Sequence, residues 1–327
     1  MNITVTHKLA KRLMEAEGEA LSGQRLADEF NISRTAVWKH IKELEEEGYS
    51  IESIKKRGYI LKNVPDTLEP TIIQPLLKTS KIGKVMEYVE SCPSTQILAH
   101  KLAQEGTADG TVVLTEKQTE GRGRLARKWD SAPRKGIWMS VILRPDVVPQ
   151  KAPQFTLVAA VAVVRAIEEV TALKPEIKWP NDILLNGKKC TGILTELQSD
   201  ADGIQALIIG IGMNVNQVLE DFSPEVQDIA ASLKMASGQE VNRQELVRSL
   251  LFHLEQYTNL YIEQGFGLLK VMWEGYSSTI GRSVRARMAK ETLEGIAEGI
   301  TDDGVLQLRT PDGKLHGIYS ADIEMKN

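Results

Sequence analysis

Apolar positions recur at helical spacing through the first fifty residues. Leu9, Leu13 and Met14 share one face of a helix predicted over about residues 5–18. Leu26, Ala27 and Phe30 do the same over 24–30, and Val37, Ile41 and Leu44 over 34–47. Asn31-Ile-Ser33 makes the turn between the last two: asparagine tolerates the left-handed conformation and Ser33 caps the helix that follows. Two helices joined this way form the helix-turn-helix pattern, whose second helix enters a major groove. Past Gly48 the period drops to two. Tyr49–Ile54 and Tyr59–Leu61 read as paired strands around the turn Lys55-Lys-Arg-Gly58, which is a wing.

The middle of the chain mixes both periods. A short strand at 88–91 precedes an amphipathic helix that starts at Ser94-Thr95 and runs to about Glu105. Strands follow at 111–115 and 137–143. Asn186-Gly187 then separates two strand-like runs, a strong hairpin signal, and residues 208–215 add another strand. Lys188 and Lys189 alternate in direction, so one of them faces the concave side. After Tyr276, Asp302-Asp-Gly304 and Pro311-Asp-Gly313 separate short runs with the spacing of a small barrel of strands. The expected organisation is α+β and multidomain, divided at 1–65, 66–275 and 276–327.

Composition narrows the classes. The net charge of −4 over 327 residues excludes a polybasic protein, so a nucleic-acid surface has to be local. Residues 1–64 hold eleven basic and ten acidic side chains, so one copy binds DNA weakly and a dimer on two half-sites is expected. Arg34, Lys39, Lys42 and the wing cations Lys55, Lys56 and Arg57 are the candidate phosphate contacts, with Thr35 and Trp38 beside them. The run from Phe155 to Val164 is too short to cross a bilayer, the first residues carry no signal pattern, and no membrane partner is expected. Cys92 and Cys190 lack metal-type spacing and suit a reducing cytoplasm.

The chemistry concentrates in Gly121-Arg-Gly-Arg-Leu-Ala-Arg-Lys-Trp129, four cations on a glycine-punctuated loop between two strands. Glycine permits close approach to a ligand, and the arginine fork matches carboxylate and phosphate oxygens. Such a loop costs entropy to order and is expected to become fixed around an anion. It does not match GxxxxGK[ST], which argues against a P-loop nucleotidase. Gly192 and Gly210 interrupt strand-like runs, where a close ligand or backbone approach would favour glycine. A sheet presenting Lys189, Gly192 and Gly210 beneath a cationic flap suits activation of a carboxylic acid by a nucleotide, because carboxylate and α-phosphate repel each other unless cations neutralise both.

The winged helix, the GRGR loop, Lys178-Trp-Pro-Asn-Asp182, Lys189-x-x-Gly192-Ile-Leu and Gly210-x-Gly-x-Asn214 occur in one order. In this the chain resembles the bacterial bifunctional biotin protein ligase and biotin operon repressor family over essentially its whole length. The resemblance implies a ligase domain of the biotin/lipoate type followed by an SH3-like barrel. It implies ATP-dependent formation of biotinyl-5′-AMP, with Mg²⁺, and transfer to a lysine of the carboxyl carrier protein of acetyl-CoA carboxylase or pyruvate carboxylase. The adenylate would also act as co-repressor, favouring a homodimer on operator DNA. Ser94, Thr95, Gln96, Gln118, Arg122, Gly123, Arg124, Lys189, Gly192 and Gly210 would bind biotin, although the family more often has asparagine where Gln96 stands. Gly121, Arg122, Arg124, Trp129, Asn181, Asp182, Lys189 and Asn214 would serve ATP, with Trp129 on adenine and Asp182 on the metal. Lys189 and Arg124 would carry catalysis. Leu125-Ala126 departs from a more basic, glycine-containing stretch in relatives. Two other readings remain open: a ligand-sensing transcription factor without ligase activity, and a lipoate-type ligase.

Overall fold

The computed structural model describes residues 4–200 and 203–326. The chain forms two compact units, one ending at Leu77 and the other beginning at Lys78.

In the first unit, α1 (Val5–Met14), α2 (Gly23–Phe30) and α3 (Arg34–Glu46) are each capped by a hydroxyl: Thr4, Ser22 and Ser33 accept from the amides of His7, Arg25 and Ala36. Asn31 closes α2 in the left-handed region at φ +51°. The first helix stops earlier than its apolar pattern predicts, since Glu17 and Gly18 both take positive φ. Leu9, Leu13, Leu26, Val37, Ile41 and Leu44 are buried together as the core. β1 (Ser50–Ile54) and β2 (Gly58–Asn63) form the wing, and Leu21 adds a bridge to Tyr59. Gly58 has φ +113°, and a Cβ there would lie 2.0 Å from the Leu21 carbonyl oxygen, so only glycine fits. Helix α4 (Pro70–Ile73) sends Ile72 into the same core, so the unit continues beyond residue 65.

The second unit centres on a seven-stranded sheet. Its elements are β3 (Met86–Cys92), α5 (Thr95–Gln104), β4 (Thr111–Gln118), β5 (Gly136–Leu143), α6 (Ala152–Thr171), β6 (Glu176–Lys178), β7 (Asp182–Leu185), β8 (Lys188–Asp200) and β9 (Gly203–Asn214). α7 (Leu233–Ser237), α8 (Arg243–Gln264) and α9 (Gly267–Tyr276) follow. The strand order is β3-β4-β5-β9-β8-β7-β6, with only β3 and β4 parallel. Strand alternation gives the sheet two faces. Ala99 and Ala103 of α5 pack on Val113, Ile142, Ala206 and Ile208 of one face. The opposite face meets α6, buried from Leu157 to Val164, whose Thr156 hydroxyl donates to Thr195. α8 packs outside α6.

The tail folds as β10 (Ser283–Arg287), β11 (Thr292–Ile300), β12 (Leu306–Arg309), β13 (Leu315–Ile318) and β14 (Asp322–Met325). These make an antiparallel sheet in the order β13-β12-β11-β10-β14 around Val284, Ala286, Leu306, Leu308 and Ile323. Trp179 fastens this sheet to the larger one. It is buried, its amide donates to Thr279 Oγ1, and its indole Nε1 donates to the Gly304 carbonyl at 3.2 Å.

Candidate active site and nucleic-acid face

Register explains which lysine faces the site. Gly192 of β8 pairs with Gly212 of β9, and Leu194 with Gly210, which is paired in turn with Ser140 of β5. These positions share the α5 face, together with Glu196 and Trp138. Strict alternation from Gly192 would send Lys188 to that face and Lys189 away. A bulge intervenes: Ile183 pairs with Thr191 but Leu184 pairs with Lys189, leaving Cys190 as the extra residue. The parity flips, and Lys189 lies over Gly192, where a Cβ would come within 3.4 Å of its Nζ. Asp182, paired with Gly192, meets Lys189 Nζ at 2.6 Å. Cys190 itself is fully buried and its thiol is pushed up to about 12 by burial, so it is an inert core group.

Trp129 lies on the same face. A Cβ on Gly192 or Gly212 would fall 2.9 Å or 2.7 Å from its ring, so these glycines form a floor for the indole. Trp129 meets Trp138 edge to face at 6.4 Å, and Lys189 Nζ stands 5.3 Å from its ring centre. Gly210 makes room in the same way for Gln96, whose Oε1 would be 2.8 Å from a Cβ there. At both sequence-predicted glycines the close neighbour is therefore a side chain of this protein.

The basic loop is tied at several points. Gly121 accepts from the Trp129 amide, and a Cβ on it would collide with the Trp129 carbonyl at 2.5 Å. Arg122 and Lys128 form a bridge, and the Gly123 amide donates to the Arg127 carbonyl. Arg124 donates to Asn181 Oδ1 at 3.0 Å and to Ser320 Oγ at 2.8 Å, while Arg127 forks onto Asp322. Protein partners thus share in ordering the loop, beyond the anion that the sequence alone suggested. Burial lowers the proton affinity of the Arg124 guanidinium, and Asp182 and Asp322 act against that. Arg122 is exposed beside Glu120. Leu125 and Ala126 both adopt positive φ, +55° and +56°, which is the conformation a glycine-containing stretch would take without strain.

At the other end of this face, Ser94 caps α5 and accepts from the Gln96 amide. Thr95 donates its backbone N–H to Gln118 Oε1 at 2.9 Å, and Gln118 Nε2 donates to Ser131. Asn181 has protein partners at both ends of its amide: its Nδ2 donates to the Ile193 carbonyl and its Oδ1 accepts from Arg124. Asn214 likewise donates to the Ala231 carbonyl and accepts from Gln217. Both asparagines therefore work here as struts between segments. Among the described residues no group of three or more His, Cys, Asp or Glu side chains is placed to hold a metal.

The model of the biotin/lipoate A/B protein ligase family matches residues 88–214, an HTH domain matches 6–60 and the biotin protein ligase C-terminal domain matches 279–326. The bifunctional ligase/repressor BirA of Bacillus spizizenii is 47% identical over 325 residues, covering 99% of this chain and all of the relative. The chain belongs to the bifunctional biotin ligase and repressor family. The Bacillus subtilis member is 46% identical over the same length. Among solved structures, a biotin protein ligase from Aquifex aeolicus in complex with biotin and ATP superposes with a TM-score of 0.64 at 29% identity, covering 74% of this chain and 99% of that one.

The repressor half of the family pattern lies in the first unit. Arg34, Thr35, Trp38, Lys39 and Lys42 are exposed on α3, and Trp38 is 52% exposed, which no core role explains. Lys55, Lys56 and Arg57 are exposed at the wing tip. Lys42 is 2.5 Å from Glu45, so part of its charge is spent within the helix. Several residues of the ligase site carried no sequence signal. Ser131, Ser140, Ser320 and Asp322 reach it only through the loop's path, the sheet register and the position of the C-terminal sheet, and Glu196 stands behind it, in contact with Gln96.

Proposed function

We propose that this protein activates biotin with ATP and transfers it to a lysine of a biotin carboxyl carrier protein, and that the adenylate it makes controls its DNA binding. In the first step a biotin carboxylate oxygen attacks the α-phosphorus and pyrophosphate leaves. In the second, the carrier lysine amine attacks the acyl carbonyl of biotinyl-5′-AMP and AMP leaves. The observation that carries this reading is the bulge that turns Lys189 onto the face shared by Gly192, Gly212 and Trp129. An ammonium fixed there by Asp182 neutralises charge where carboxylate and phosphate meet; Arg124, tied to Asn181, adds a second cation, and Arg122 on the same loop would swing in from its exposed position beside Glu120. Ser94, Thr95 and Gln118 supply the polar end for the biotin ring, and Trp129 supplies a flat surface for adenine. Mg²⁺ would arrive with ATP; Asp182 would offer it a carboxylate, and the ion would supply further neutralisation of the phosphate charge.

The carrier belongs to acetyl-CoA carboxylase or pyruvate carboxylase, and the protein works in the cytoplasm. Bound biotinyl-AMP acts as co-repressor, promoting a homodimer whose two winged helices engage two operator half-sites. Incubation with ATP, Mg²⁺, labelled biotin and an apo carrier domain tests the reading. Label should appear on the carrier; its absence under conditions where the protein binds biotin would leave a sensor without ligase activity.

A further inference from the structure

Behind Thr95 a chain of hydrogen bonds runs across the sheet to a carboxylate outside the ligand pocket. Gln96 is 6% exposed, and its Nε2 is surrounded by acceptors: Glu196 Oε2 at 2.9 Å and the carbonyls of Leu194 and Ile208 at 3.4 Å each. That fixes the amide with its oxygen toward Ser140, whose Oγ is 2.7 Å away. Ser140 Oγ is also 2.9 Å from Thr95 Oγ1. One hydroxyl proton cannot serve both contacts. The Gln96 oxygen can only accept and is the nearer of the two acceptors, so the Ser140 proton goes to it. The Thr95 hydroxyl donates to Gln118 Oε1 at 3.3 Å, so its own proton is held inside the protein. Thr95 is left with lone pairs alone for a ligand.

Glu196 is itself held. Gln198 Nε2 lies 2.7 Å from His100 Nδ1 and 3.0 Å from the His100 carbonyl, so it donates to the ring nitrogen. The proton of His100 is then on Nε2, which donates to Glu196 at 3.0 Å. We propose that Glu196 is a positioning residue that sets the hydrogen-bond polarity of the biotin pocket through Gln96 and Ser140, making Thr95 an obligate acceptor for an N–H donor such as the ring ureido group. The proposal rests on the functional reading above. Glu196 touches neither substrate in this scheme, and its side chain is 43% exposed, so substitution leaves the core intact.

Glu196→Lys removes the nearest and only charged acceptor of Gln96 Nε2 and sets a cation in its place, which outweighs the two long carbonyl contacts and favours the flipped amide. Ser140 then donates to Thr95 and fills a lone pair that the ligand needs. Biotin binding to the full-length protein, measured by calorimetry, should weaken about tenfold, the loss of one hydrogen bond, with KM for ATP unchanged. Glu196→Gln keeps an acceptor oxygen for Gln96 and should stay within about twofold of wild type. In a Thr95→Val background the Glu196→Lys change should add less than about twofold, because its route is already cut. Equal losses with and without the Thr95 hydroxyl, a shift of KM for ATP in step with biotin, or full biotin affinity in Glu196→Lys would each overturn the proposal. A wild-type protein that does not bind biotin would instead refute the functional reading.

Discussion

Lys189 and Asp182 meet at 2.6 Å on a face that Lys189 reaches only through the bulge at Cys190. Removing the ammonium leaves the approach of carboxylate to phosphate uncompensated. Lys189→Ala should therefore lose about 10²–10³-fold in the rate of adenylate formation, the range seen when one charge-stabilising donor is deleted, while thermal stability changes little. Quenched-flow detection of biotinyl-AMP reads this directly. The motif residues were legible before the structure, but their partners were not. Lys189 stood in a recognisable K-x-x-G-I-L run, yet plain alternation would have selected Lys188. Gly192 and Gly210 were singled out for a close ligand or backbone approach, whereas the groups that crowd them in the structure are side chains, Trp129 and Gln96, from segments distant in sequence. Glycine in a strand announces a close approach and does not say by what.

At the scale of elements, the buried pair Arg243–Glu116 joins the start of α8 to β4. The guanidinium is 2.6 Å from Glu116 and also donates to the Gly136 carbonyl, so it clamps both strands that flank the basic loop. Breaking such a pair strands a buried charge. Arg243→Met should cost about 3–5 kcal/mol by denaturant unfolding, and Arg243→Met with Glu116→Leu should recover much of it. α8 also supplies Glu255, which accepts from the backbone amides of Ser80, Lys81 and Ile82. Burial pushes its carboxyl up, but these donors together outweigh burial and hold it below the ordinary glutamate range. A carboxyl depressed on folding stabilises above the unfolded value of about 4.3 and loses that contribution as pH falls through the lower folded value. Glu255→Gln should thus be less stable at neutral pH and should show a shallower loss of stability on acidification below about pH 4.3 in thermal melts. Helices α1 to α3 could be read from period and caps because their signals are local. The tie between Arg127 and Asp322 could not, since it depends on where the C-terminal sheet comes to rest.

Over the whole molecule, the proposed function has one small-molecule product made in the second unit and read out through the first. On this account, equilibrium sedimentation should show dimer formation strengthened by biotin with ATP and unaffected by ATP alone. Operator affinity should fall steeply with salt, and neutralising Lys55, Lys56 and Arg57 together should reduce the salt slope by about five, since each of the two protomers loses three phosphate contacts. The family pattern across 6–60, 88–214 and 279–326 made this organisation visible from sequence, because each segment carries its own local motifs. The extent of the first unit was less visible: Ile72 belongs to its core although Pro65 and Pro70 look like a linker. The most direct measurement is biotin-dependent exchange of labelled pyrophosphate into ATP by the wild type and by Lys189→Ala. The account predicts exchange that requires biotin and nearly vanishes in the variant; exchange that proceeds without biotin, or at full rate without Lys189, would contradict it.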